Sequence, residues 1–262
     1  MTPQPKSYQG NKIRVYIGST VLFACILSSA TVIGVIVLLM IPFSFDLRYR
    51  VTALWCRFAI WLAKVCCGVE YTVEGAENLN LPEPGIILSK HQSAWETLAY
   101  RQIFPKQTVL LKESLLRLPI WGWALATLKP IAINRKNQKA ALRKLLRDGT
   151  AALNDGLWVI VFPEGTRTAP GETKKFNAGG AMLAHKTGRP VIPVAHNSGE
   201  CWSRYSFLKY PGTIQVKIGP KIESQGRTAA EINAEAEAWI LGAMQTIKNS
   251  PSEHNGLGNE PD

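Results

Sequence analysis

The sequence has 262 residues, 30 Lys and Arg against 19 Asp and Glu for a formal net charge of +11, and a hydrophobic share of 46%. That share is globular, the length leaves one α/β domain after a membrane-like first segment, and the basic excess calls for an anionic partner: nucleic acid, anionic lipid or a phosphate-bearing substrate. The cysteines (Cys25, Cys56, Cys66, Cys67 and Cys201) are odd in number and form no CxxC pair, which argues against a disulfide framework and a zinc site and for reduced, packed thiols.

Residues 1–14 are polar, with Lys6, Lys12 and Arg14, and residues 15–43 carry no charge. As a helix the uncharged stretch would run about 43 Å at 1.5 Å per residue, against roughly 30 Å of bilayer hydrocarbon. It is expected to span, tilted or with its ends among the headgroups. A re-entrant hairpin broken near Ser28-Ser29 or Gly34, and a cleaved signal peptide, are the alternatives. Residues 46–68 set Arg48, Arg50, Arg57 and Lys64 among Leu54, Trp55, Phe58, Trp61, Leu62 and Val65 at steps of three and four. This is an amphipathic helix, suited to the interface of an anionic bilayer or to packing on the domain by its apolar side. Positive charge flanks the apolar segment on both sides, so the positive-inside rule assigns no orientation.

Residues 70–250 alternate strands and helices. Strands are expected at 71–74, 86–89, 108–111 and 131–133, then a helix at 136–154 closed by Gly156. The continuous apolar run 157–162 is a buried strand, 178–186 a helix, 191–195 and 213–219 strands, and 228–248 a last amphipathic helix. The pattern predicts an α/β fold, a central mainly parallel or mixed sheet flanked by helices. Residues 251–262, rich in Gly, Asn, Ser and Pro, are expected to be a disordered tail.

Polar residues collect at the ends of these strands. His91 and Glu96 follow IILSK; Asn134 and Arg135 end the strand at 131; Pro163-Glu164-Gly165-Thr166-Arg167 ends LWVIVF. In open α/β sheets ligand sites gather at the carboxyl ends of strands, so the three stretches are expected to converge. A histidine with a carboxylate five residues on can work as a general base whose tautomer the acid fixes. Ser93, between them, lacks a GxSxG surround and is expected to cap the following helix.

These stretches resemble the motifs of the glycerolipid acyltransferase family. KHQSAWE is similar to its NHxxxxD motif, and FPEGTR is identical to its third motif. Lys112-Glu113 with Pro119, Gly122 and Ile133-Asn134-Arg135 resembles the second, and VIPVAHNSG the fourth; order and spacing agree over about residues 70–225. Two positions depart from the pattern: Glu96 stands for the usual aspartate and Lys90 for the usual asparagine. The resemblance implies transfer of an acyl chain from acyl-CoA or acyl carrier protein to the sn-2 hydroxyl of 1-acyl-sn-glycerol-3-phosphate, giving phosphatidate. It makes His91 the base and Glu96 its orienting acid. Lys112, Arg135, Glu164, Gly165, Thr166 and Arg167 would bind the acceptor, Arg167 gripping the phosphate and Glu164 orienting Arg167 or a glycerol hydroxyl. No metal or organic cofactor is implied, and the site would face the cytoplasm at an anionic membrane surface.

Two other readings remain: the same chemistry on another lysolipid or an acylated amino-acid lipid, and a non-enzymatic basic membrane protein binding anionic lipid. No recognisable nucleic-acid module is present. His185 sits at a helix end, where a cation suits the dipole, and His196 follows a strand near the expected site. The basic run Arg135, Lys136, Lys139, Arg143, Lys144 and Arg147 is a solvated helix face or a steering surface for an anionic donor or bilayer.

Overall fold

The computed structural model describes residues 8, 10–134 and 136–249. The chain begins with two helices, α1 (Lys12–Leu39) and α2 (Phe45–Cys67). The Asn11 side chain caps α1 by accepting from the N–H groups of Ile13 and Arg14 at 3.0 and 3.2 Å. The helix is unbroken through Ser28, Ser29 and Gly34, so the hairpin expected as an alternative does not form within it. Both serine hydroxyls bond back to their own helix, at 2.8 Å to the Ala24 carbonyl and 2.6 Å to that of Cys25. α1 is long and apolar enough to cross a membrane, with a mean hydropathy of 2.7.

α1 also lies along the rest of the protein. Gly18 abuts the Cys66 carbonyl so closely that a Cβ would sit 2.1 Å from its oxygen. The Trp55 indole donates to Ser29 Oγ at 3.1 Å and the Trp121 indole to Thr31 Oγ1 at 3.2 Å. The Lys209 N–H donates to Ser19 Oγ at 2.9 Å, and Phe207 meets Phe23 edge to face. Arg48 ties the α1–α2 turn by donating to the carbonyls of Ile41 and Phe43. α2 has two apolar faces. Small residues Cys56, Ala59, Ala63 and Cys67 are buried, while Leu54, Phe58, Trp61 and Val65, at steps of three and four, stay exposed beside Arg50, Arg57 and Lys64. Gly68, in the left-handed region at φ 67°, ends α2 by donating to the Ala63 and Lys64 carbonyls.

The domain adds β1 (Val69–Glu74), β2 (Ile86–Ser89), α3 (Trp95–Ile103), β3 (Gln107–Lys112), α4 (Trp121–Ala126), β4 (Ile131–Ile133), α5 (Gln138–Asn154) and β5 (Trp158–Val161). It closes with α6 (Gly179–Thr187), β6 (Val191–His196), α7 (Ser198–Cys201), β7 (Gly212–Ile218) and α8 (Ala229–Asn249). The seven strands form one sheet in the order β1-β7-β6-β2-β5-β3-β4. Every neighbouring pair is parallel except β6–β7. The mixed sheet flanked by helices is the architecture expected from the sequence.

Its central strands are buried on both faces, which is why they read as unbroken apolar runs. Alternate side chains serve the two faces. Ile87, Trp158, Ile160, Ile192 and Val194 pack with Leu22 of α1, Ile60 of α2 and Trp95 and Tyr100 of α3. Ile86, Leu88, Val159 and Val161 pack with Leu145 of α5, Leu183 of α6 and Ile232 of α8. The five cysteines are all free, and burial pushes the thiols of Cys56 and Cys201 up to about 11 and 12, so neither is a ready nucleophile.

The helix expected from residue 136 starts at Gln138, where the Asn137 side chain accepts from the Ala140 N–H at 3.0 Å and caps it. α4 and α7 are additions to the expected elements. The expected tail and most of the polar N-terminus lie outside the described residues.

Candidate active site

β2, β5 and β6 are neighbours, run parallel, and end at the same edge of the sheet. The loops that follow therefore meet, and they bring together residues far apart in sequence. His91 follows β2. Its Nδ1 lies 2.8 Å from Glu96 Oε1, and its ring stacks on Phe162 with centroids 4.0 Å apart. The histidine side chain keeps 11% exposure, and its Nε2 has no partner among the described residues.

Glu96 enters from the first turn of α3 and is fully buried. The turn folds back so that its carboxylate accepts from the N–H groups of Gln92 and Ser93 at 2.8 and 2.9 Å. The hydroxyls of Ser93 and Ser198 also donate to it, Ser198 at 3.1 Å. Burial alone would push this carboxyl up. The His91 hydrogen bond, the nearby imidazoles of His196 and His91, and the Ser93 hydroxyl outweigh it and hold the group down at about 2. The extra methylene of Glu96 over aspartate is accommodated, because the carboxylate still reaches the ring. Ser93 is not the cap expected of it: Ala94 holds the N-cap position of α3, and Ser93, one residue earlier, accepts from the Trp95 N–H at 3.0 Å.

The FPEGTR stretch follows β5. Gly165 is in the left-handed region at φ 69°, which favours glycine at this turn. Asn177 closes the turn, its side chain and its N–H both donating to the Pro163 carbonyl at 2.8 Å. Glu164 does not pair with Arg167. It is buried, forms an ion pair with Lys90, and accepts the His91 N–H at 2.9 Å. Thr168 donates its N–H to the His91 carbonyl at 2.8 Å. Arg167 sits between these two anchors, half-buried. Its carbonyl accepts from Arg204, while its guanidinium has no partner among the described residues. Thr166 is half-buried beside it. Lys112 ends β3 at the same edge and is exposed. Arg135 lies outside the described residues.

His196 is fully buried and structural: burial depresses its basicity, Nε2 donates to the Lys90 carbonyl at 2.9 Å, and Nδ1 accepts from the Ser198 N–H. His185 is remote, bonding the Arg227 carbonyl at 2.7 Å. On α5, Lys144 and Arg147 are drawn to Asp148 at 2.9 and 2.7 Å. Among the described residues no three His, Cys, Asp or Glu side chains cluster as metal ligands would.

The sequence reading missed Lys90, Thr168 and Ser198 as members of the site. Each lies inside or beside a motif, yet each has a partner 74 or more residues away in sequence. The departure of Lys90 from the family pattern was the one available signal.

The Acyltransferase family profile matches residues 70–197, the span of these loops. The 1-acyl-sn-glycerol-3-phosphate acyltransferase of Pseudomonas aeruginosa is 49% identical over 235 residues, covering 87% of this chain and 91% of that protein. The alpha form from Mus musculus is 29% identical over 77% of this chain and 71% of its own length. Among solved structures, the 1-acyl-sn-glycerophosphate (LPA) acyltransferase of Thermotoga maritima matches in fold with a TM-score of 0.77 at 23% identity, covering 92% of this chain and 99% of that one.

Proposed function

The chain belongs to the acyltransferase family, and from that premise and the His91 pocket we propose that it acylates the sn-2 hydroxyl of 1-acyl-sn-glycerol-3-phosphate, giving phosphatidate. The observation that carries this reading is the 2.8 Å contact of His91 Nδ1 with an ionised, buried Glu96, beside the loop that bears Arg167.

With Nδ1–H committed to Glu96, Nε2 is left as an acceptor aimed at an incoming hydroxyl. As the hydroxyl oxygen attacks the thioester carbonyl, its proton moves to Nε2 and Glu96 stabilises the imidazolium. The C–O bond then forms, the C–S bond breaks, and the proton passes to the departing thiolate or to water. A base in this role supplies ~10²–10⁴ in rate. A thiol that ionises near pH ~8.5 by analogy with cysteine leaves with little acid help.

The unpartnered Arg167 guanidinium suits bidentate capture of the acceptor phosphate, and Lys112 adds charge at the same edge. The donor is a soluble thioester, acyl-CoA or acyl carrier protein, reaching the site from the cytoplasm. The apolar face of α1 and the exposed stripe of α2 hold the domain against an anionic membrane, the phase in which the acceptor resides.

Purified protein with lysophosphatidate and an acyl thioester tests the reading. His91→Ala should lose at least ~10²-fold in kcat while acceptor binding is kept. Equal turnover by wild type and variant would remove His91 from catalysis. A preference for acceptors without a phosphate monoester would remove Arg167 from its role.

A further inference from the structure

Lys90 occupies the position of the asparagine in the family pattern, and its ammonium turns inward. Its side chain is 3% exposed and ion-paired with Glu164, whose side chain is fully buried. The same ammonium donates to the Glu172 carbonyl at 3.1 Å. One lysine thus ties together both ends of the segment from Glu164 to Glu172. Its own main chain is fixed separately. The Lys90 N–H donates to the Val194 carbonyl at 3.0 Å, and its carbonyl accepts from His196 at 2.9 Å.

The paired carboxylate faces the base. Glu164 Oε2 accepts the His91 N–H at 2.9 Å. On the other side, the Thr168 N–H and hydroxyl donate to the His91 carbonyl at 2.8 and 3.2 Å. Both peptide groups of His91 are therefore held by residues 164 and 168, and Arg167 lies between those two anchors. Arg204 grips the segment from outside, donating to the Arg167 carbonyl and pairing with Glu172 at 3.2 Å.

We propose that Lys90 is a positioning residue: through Glu164 and Glu172 it fixes the spacing between the imidazole of His91 and the guanidinium of Arg167. The proposal rests on the reading of those two side chains as base and phosphate grip. A buried ion pair is a poor device for stability alone, since desolvation offsets its attraction and an apolar pair of the same volume often does as well. What an ammonium with two fixed acceptors adds is direction, because any slide of one loop against the other breaks charged hydrogen bonds in a dry site. Asparagine at this position is too short to bridge the same gap. The reaction needs this direction: a misplacement of ~1 Å between reacting groups can cost about 10²-fold in rate.

The test compares wild type, Lys90→Arg and the double variant Lys90→Met with Glu164→Gln, which leaves no unpaired charge buried. Thermal melting and near-ultraviolet circular dichroism give the folded fraction, and kcat and KM for lysophosphatidate are taken per folded molecule. The double variant should fold and melt close to wild type, lose about tenfold or more in kcat, and show a raised KM for lysophosphatidate. Lys90→Arg, which keeps the cation, should retain more kcat than the double variant. Wild-type kcat and KM in the folded double variant would overturn the proposal. So would failure of the double variant to fold, which would make the pair a requirement of stability. A wild type inert toward lysophosphatidate would sink the functional reading and this proposal together, and that result is visible before any substitution.

Discussion

Five donors converge on the Glu96 carboxylate: the N–H groups of Gln92 and Ser93, the hydroxyls of Ser93 and Ser198, and the His91 ring. An amide cannot replace it, because its NH2 end would face donors. Glu96→Asp keeps the charge and should retain more activity than Glu96→Gln; the reverse order in a thioester-release assay would detach the acid from its role. The same crowd of donors sets a pH dependence. The folded carboxyl is held at about 2, below its ordinary 4.5. Its stabilising contribution is therefore complete above pH ~4.5 and is lost as pH falls through ~2, a span worth roughly 3 kcal/mol. The gap in unfolding free energy between wild type and Glu96→Gln should close over that window. A gap that stays constant from pH ~4.5 to ~2 would mean the group is not held ionised.

Among the elements, the strands were readable because their burial on both faces leaves an unbroken apolar signature, as in Leu157 to Phe162. The candidate base and its acid were readable because the chemistry demands an imidazole and a carboxylate at one strand end. α4 was not, since six residues make fewer than two turns, too few to repeat an apolar face, and its place is set by Ile120 and Trp121 packing on α1. Glu164 was read toward Arg167, a neighbour in sequence, whereas a lysine on the adjacent strand's loop holds it. The outer faces of α2 were only half legible. Its basic and apolar residues were plain, but not that Cys56, Ala59 and Ala63 take the inner side and leave the larger side chains outside. The small-residue seam between α1 and α2 is itself testable. Gly18→Val would drive a side chain into the Cys66 carbonyl, whose oxygen lies 2.1 Å from where the first added carbon must go. It should destabilise by about 1–3 kcal/mol and open α1 to protease in detergent; wild-type resistance would show that the seam yields.

At the scale of the whole molecule, the large exposed apolar side chains are on α1, the α1–α2 turn and the outer face of α2, on Leu115, Leu118, Trp121 and Trp123 in and before α4, and on Tyr205 and Phe207. Burying a large apolar side chain is worth ~1.5–3 kcal/mol, and Leu54, Phe58 and Trp61 are each partly to mostly exposed. Replacing these three by serine should leave the fold intact and weaken flotation with anionic vesicles at least about tenfold, with little recovery on changing salt. Unchanged flotation would assign membrane attachment to α1 alone. Residues 202–211 join this surface to the reaction centre: Lys209 is fastened to Ser19 of α1, and Arg204 to the carbonyl of Arg167. A disturbance of the greasy helix in its seat is therefore transmitted, through that one strap, to the backbone that carries Arg167.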